Sequence, residues 1–257
     1  MHGTHSQRRV IFGVMNAIVL TTVLVTGVTA SASPKPQALS AYQQYAAAAE
    51  TSFVSRQPTP AIDNAKVVTA ADSPVHVEGA LIHHWDGTMF VPGVRLATVL
   101  RFMQSYNDLP RFYSPEVVES KLLSHRGDDF DMQMQLRKHE VITVVLDTES
   151  HIHYGRPDAA HAYSISHMDR VREIPDGDHG FLWRMDTYWR FTETNGGVAM
   201  ECEVISLTRD VPTGLGWAVN PFISSLPKEE LEFTLSHTRD ALLQTSHDHT
   251  MQIQGRR

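Results

Sequence analysis

Histidine is the residue type with the most chemistry to offer in this chain, which carries 15 of them. His151 and His153 stand two apart in a stretch of strand-like alternation, so they share a face. His161 and His167 are likewise in phase on the next such stretch, and of the adjacent His83 and His84 at most one faces inward. Three imidazoles on neighbouring strands can hold zinc. Yet the chain has no HExxH and a single cysteine, and histidine pairs also suit a solvated strand. No metal site is expected. Glu201 and Glu203 form the next constellation. They fall opposite Arg190 and Tyr188 across a hairpin, which reads as two cross-strand pairs on the outer side of a sheet. Were that face turned inward, Tyr188, Glu203, Asp186 and Arg184 would become polar groups able to orient a ligand or transfer protons. No Gly-x-Ser-x-Gly or triad context supports a serine nucleophile. Gly214-Leu215-Gly216 follows no βα unit, so neither a phosphate loop nor a dinucleotide cofactor is indicated. No catalytic residue and no cofactor is assigned. Cys202 falls on an apolar strand face and reads as a small buried hydrophobe.

The remaining candidates are apolar. Trp183, Met185, Trp189, Phe191, Met200, Met132 and Met134 make a wide, soft surface. Part of it must be plain core. Ligand pockets, however, are mostly apolar with few polar groups, and methionine walls adapt to varied guests. These seven residues, with Tyr188 and Glu203, are the candidate ligand-binding set.

The element that positions them runs from Phe181 to Leu243. Trp183, Met185, Trp189 and Phe191 alternate with Arg184, Asp186, Tyr188 and Arg190, the period of a half-buried strand. Asn195-Gly196 supplies the two positive φ angles of a tight hairpin. If those two residues are the loop, Thr194 faces Gly197, Phe191 faces Met200, Trp189 faces Cys202 and Thr187 faces Val204. A slip of one residue would scatter both patterns. A loop with Pro212, Gly214, Gly216 and Pro221 leads to Ser225-Leu226-Pro227, a helix-start signal. The helix carries Leu231, Leu235, Thr238 and Leu242 on one stripe, with acids in its first turn.

Upstream, Val75 to Ile82 reads as a first strand that ends in a turn at His83-His84-Trp85 and Asp86-Gly87. Val94 to Tyr106 carries Leu96, Val99, Leu100 and Met103 at helical spacing, and Asn107-Asp108-Leu109-Pro110 stops it. Strands follow over Val117 to His125, Phe130 to Arg137, Val141 to Leu146 with Ser150 to Tyr154, and around Tyr163 and Ile165 to a turn at Pro175-Asp176-Gly177.

Both ends lie outside this domain. Arg8-Arg9, an uncharged run from Val10 to Val28, and Ala30-Ser31-Ala32 form the pattern of a signal peptide over residues 1–32. The expected address is periplasmic or secreted, with an uncleaved N-terminal anchor as the rival. Residues 33–73 are rich in Ala, Ser, Gln, Thr and Pro and read as a flexible or weakly structured linker, in which Ala41 to Ser52 is a possible short helix. The domain occupies 74–245, and 246–257, with His247 and His249, is a polar tail. Without residues 1–32 the chain has 20 basic against 29 acidic residues, a net −9, which argues against nucleic acid as a partner. No second apolar run of spanning length follows, so no stable membrane insertion of the mature chain is expected.

This order of a strand, a helix, a meander and one long helix resembles the helix-grip fold of the START-like superfamily, which includes polyketide cyclases, coenzyme Q-binding proteins and Bet v 1-type proteins. The resemblance rests on Tyr188-Trp189-Arg190-Phe191, on Glu203 to Asp210, and on the loop and helix after them. It implies an α+β domain in which a curved antiparallel sheet of about six or seven strands wraps a long C-terminal helix, with a shorter helix after the first strand. It also implies an apolar cavity between the two. The fold does not dictate one reaction. Three readings stay open: a carrier of a hydrophobic small molecule (a lipid, quinone or polyketide-like compound), a cyclase or dehydratase using Tyr188, Glu203, Arg184 or the histidines, and a filled domain that makes protein contacts. Geometry separates the first two, through which strand face meets the C-terminal helix.

Overall fold

The computed structural model describes residues 33–56, 67–139, 143–174, 182–210 and 229–245. The expected signal peptide and polar tail, the expected turn at Pro175-Asp176-Gly177 and the segment Ser225-Leu226-Pro227 lie outside the described residues.

The hairpin takes the expected register. Strand β8 (Arg184–Thr194) pairs antiparallel with β9 (Gly197–Arg209), placing Thr194 opposite Gly197, Phe191 opposite Met200, Trp189 opposite Cys202 and Thr187 opposite Val204. The turn differs in one respect. Gly196 has φ +119° but Asn195 is not left-handed, so one glycine makes the reversal that was expected of two residues.

Strand β3 (Ala80–Pro92) lines the whole of β9. This corrects the expected turn at Asp86-Gly87. The chain reverses earlier, at Glu78-Gly79, where Gly79 (φ +80°) folds β2 (Val75–Val77) onto β3. Gly87 lies within the strand and serves another purpose. A methyl group there would collide with Leu235 and crowd Leu231, both on the helix α4 over residues 229–245. The glycine lets the helix approach the strand backbone.

The other strands are β1 (Val68–Ala71), β4 (Val117–Arg126), β5 (Asp129–His139), β6 (Thr143–Gly155) and β7 (His161–Ile174). They complete one antiparallel sheet of nine strands, ordered β1-β3-β9-β8-β7-β6-β5-β4, with β2 also on β3. Helix α2 (Leu96–Met103) is shorter than its expected span. It is followed by a 3₁₀ turn (Tyr106–Asp108) and the single-turn α3 (Leu109–Phe112), with Pro110 early in that turn, where a missing N–H costs little. The start of α2 is capped from a distance: Leu96 N donates to Glu193 Oε2 at 2.8 Å, and Arg95 pairs with the same carboxylate.

The stretch read as a linker contains the largest departure. Residues 36–55 form α1 (Pro36–Ser55), a helix of 20 residues that extends well beyond the alanine-rich core. Ala38, Tyr42, Ala46, Ala49 and Phe53 are buried along one stripe at helical spacing. They pack on Ala80, Ile82, Tyr188, Ile205 and Leu207. On the sheet's opposite face, α4 buries Leu231, Leu235, Thr238, Ala241 and Leu242. The expected stripe is thus present, and it closes over Trp85, Met89, Trp189, Phe191, Met200 and Cys202. We call this face inner and the α1 face outer.

Candidate functional site

The inner wall follows from pairing. Because Phe130 partners Ile152, Ile152 partners Ser166, Ser166 partners Thr187 and Thr187 partners Val204, one row of side chains crosses five strands on a single face. A neighbouring row holds Tyr154, Ser164, Trp189, Cys202 and Gly87. Trp189 and Phe191 stack in parallel with ring centroids 6.1 Å apart. Small side chains therefore fall at Ser166 and Thr187 in the first row and at Cys202 and Gly87 in the second.

The two groups of small residues are covered differently. At Gly87 and Cys202, Leu231 and Leu235 of α4 fill the space, and burial pushes the Cys202 thiol well above its ordinary pKa, as befits a core residue. At Ser166 and Thr187 the packing differs. These residues sit on β7 and β8, the middle of the sheet, yet both keep solvent-accessible surface, as do Ser150, Met185, Val204 and Met134 on the same face. Phe233 of α4 and Leu122 of β4 are also only partly covered. Positions in the middle of a covered sheet face are accessible only if the cover leaves a gap. Polar contacts hold the rim. Tyr113 bonds Thr238 through their hydroxyls at 2.7 Å, Tyr106 bonds Tyr154 at 3.0 Å, and Arg239 Nε donates to the Phe90 carbonyl at 3.1 Å. Burial pushes the Tyr106 and Tyr113 hydroxyls up to about 12, so both stay neutral donors.

Not all candidate residues meet at this wall. Trp189, Phe191, Met200 and Met132 are buried in the inner cluster, Met134 packs against it, and Met185 is half-buried in phase with Trp189. Trp183 is a correction. It packs in the outer cluster, because it lies at a bend before β8 where the two-residue alternation no longer holds. Tyr188 and Glu203 are also outer. The outer assignment of their face stands, and the inward alternative for Tyr188, Glu203, Asp186 and Arg184 does not. The histidines divide too. His83 is buried on the inner face, with one ring nitrogen 3.1 Å from the Thr208 hydroxyl and its Nδ1 unpartnered. His151, His153, His161 and His167 all lie on the outer face, each beside a carboxylate.

The outer face is not a bare sheet surface, as its cross-strand pairs had suggested. Tyr188 stacks near Phe53 and its hydroxyl reaches the Ala46 carbonyl at 3.4 Å. Arg190 lies 4.4 Å from the Phe53 ring, donates to the Phe53 carbonyl near the end of α1, and pairs with Glu201 at 3.4 Å. A cation at a helix C-terminus is favourable. Next to it His84 Nε2 lies 2.9 Å from Glu203 Oε1, and Arg56 pairs with Glu203 at 3.3 Å. Burial alone would lower the His84 pKa, but the Glu203 hydrogen bond and the charges of Glu203, Asp86 and Asp72 raise it on balance. Burial, then the charge of Glu203, raise that of Asp86. His84, Asp86 and Glu203 are the described residues grouped closely enough to share a metal ion. Asp86 was read as part of a turn and so escaped notice. The apolar Ile205 and Leu207 beside Glu203, in phase with it, were the signal that something covers this face.

No family model matches this sequence, and no curated protein does. Solved structures do match. Human STARD10 superposes with a TM-score of 0.50 at 10% identity, over 87% of this chain and 85% of that one. The STAR-related lipid transfer protein of Xanthomonas axonopodis gives 0.49 at 15% identity, over 68% and 98%. The Zhui aromatase/cyclase of Streptomyces sp. R1128 gives 0.48 at 7% identity, over 63% and 93%. At such identities the likeness is one of fold. The chain has the α+β helix-grip fold of START-like proteins, with nine strands where six or seven were expected.

Proposed function

We propose that this protein binds a hydrophobic small molecule between the inner wall and α4, and that it does so as an exported carrier. One observation carries the reading: Ser166 and Thr187, paired on the two middle strands, remain accessible beneath the helix side of the sheet. A cover that leaves the centre of its own wall open is shaped for a guest. The wall offers apolar margins with a few hydroxyls (Ser150, Ser166 and Thr187), the composition typical of small-molecule pockets. Of the residues considered for proton transfer, Tyr188, Glu203, Arg184 and the histidines of β6 and β7 lie on the other face and His83 is on the inner one, which favours holding over catalysis. Export rests on the N-terminal pattern of residues 1–32.

The test is native mass spectrometry of protein purified from its own host, followed by organic extraction, beside a variant carrying Ser166→Phe. A near-stoichiometric apolar molecule in the native chain, diminished in the variant, is the expected result. A clean apo mass, with no thermal shift against lipids and quinones, would sink the carrier.

A further inference from the structure

On the outer face, β3 presents His84 and Asp86, and β9 presents Glu203 as the direct ladder partner of Asp86. One donor atom from each of the three lies within 4.8 Å of the others. The ring of His84 is aimed. Its Nδ1 meets the Tyr45 hydroxyl at 3.0 Å and the Asp72 carboxylate at 3.6 Å, leaving Nε2 directed at Glu203. Partners on one ring nitrogen that fix the other toward a shared point are what metal-ligating histidines need. Asp86 is half-buried, and its side chain makes no hydrogen bond or close ion pair among the described residues, with the charges of His84 and Arg56 nearby.

Charge points the same way. Among the described residues, the carboxylates Asp72, Asp86, Glu201 and Glu203 and the guanidinium groups of Arg56 and Arg190 stand around this point. Both guanidinium groups pair with Glu201 or Glu203. Side-chain exposures of 15% for His84 and 5% for Glu203 limit what solvent can screen at this point.

We infer that His84, Asp86 and Glu203 form a binding site for one divalent transition-metal cation, of which zinc is the probe. One imidazole and two carboxylates suit zinc or manganese better than calcium. In a tetrahedral site with bonds of about 2.1 Å, neighbouring donors stand about 3.4 Å apart. His84 Nε2 and Glu203 Oε1, 2.9 Å apart, must therefore open by about half an ångström to admit the ion, and Asp86, with a donor atom within 4.8 Å of both, turns in to meet it. Water completes the shell. The site lies on the opposite side of the sheet from the apolar wall and does not depend on what that wall binds.

The experiment is calorimetric titration of the chelator-stripped full chain with zinc, read beside its melting temperature. One zinc per chain and a rise in melting temperature are expected. Asp86→Asn should weaken binding about tenfold or more while leaving the zinc-free melting temperature at or above that of the native chain, since Asp86 has no partner to lose. His84→Gln should weaken zinc binding likewise. The exposed His151–Asp131 and His153–Asp129 pairs supply the control, and the double variant H151A/H153A should bind as the native chain does. Absence of stoichiometric zinc, or uptake that survives D86N and H84Q but is lost in H151A/H153A, overturns the site.

Discussion

The two faces of one sheet are covered by helices from opposite ends of the chain, and they are covered differently. On the outer face α1 lies flush: Tyr42 and Phe53 are buried, the Tyr42 hydroxyl donates to the Ile205 carbonyl at 3.1 Å, and Arg190 closes the helix end. On the inner face α4 presses on Gly87 and buries Leu235 and Leu242, while Ser166, Thr187 and Met134 stay accessible. Both faces carry buried polar contacts, but only the inner one leaves apolar and hydroxyl side chains partly uncovered at the middle of the sheet, the difference on which the proposed carrier role rests.

The comparison breaks most readily at Phe53. Phe53→Ala should cost about 3–5 kcal/mol, the range for emptying an aromatic core site, while extractable apolar ligand persists. A thermal denaturation curve checks the first half, and a loss under about 1 kcal/mol would mean that α1 is not docked. A methionine pair sharpens the inner face. Met200→Ala, at a fully buried position, should cost about 2–5 kcal/mol. Met134→Ala, half-buried on the same wall, should cost under about 1 kcal/mol and act instead on ligand affinity. Equal losses in urea unfolding would show a filled core. Gly87→Ala should cost about 1–3 kcal/mol, as an added methyl forces Leu235 aside, and near-UV circular dichroism should report altered packing around Trp85 and Trp189.

The smallest effect is pH-dependent. His167 stands 3.0 Å from Asp186 and 3.7 Å from Glu50 of α1, with Asp169 nearby and His151 opposite in the ladder. The Asp186 hydrogen bond raises its pKa above 6.5 against the cost of burial. A raised folded-state pKa adds stability that is fully present below pH 6.5 and is lost as pH rises through the higher value. The group is partly exposed, so the change is under about 1 kcal/mol. Stability measured between pH 6 and 8 should fall less in His167→Gln than in the native chain.

What could be read from the sequence and what could not have separate causes. The β8–β9 register was legible because alternation on both strands and one Asn-Gly agree on a single answer. Gly87 misled, because a turn glycine and a packing glycine look alike until the helix that presses on it is placed. Helix α1 was obscured by its composition: alanine and serine suggest a linker, and the stripe from Ala38 to Phe53 gains meaning only against Tyr188, Ile205 and Leu207, far along the chain. Trp183 kept the parity of Trp189 in sequence but lost it at the bend. The grouping of Asp86 with Glu203 needed the β3–β9 pairing, a contact between residues more than a hundred apart.

The strand order carries a mechanical consequence. Strands β3, β9 and β8 are held between α1 and α4, whereas at the far edge Val118 and Leu123 on β4 are exposed, as is much of Asp129 and Asp131 on β5. The sheet is thus a cantilever, clamped from both sides along one limb and braced from the inner side alone along the other. With cover on one side only, the outer edge at β4 is the part of the sheet where amide exchange should be fastest.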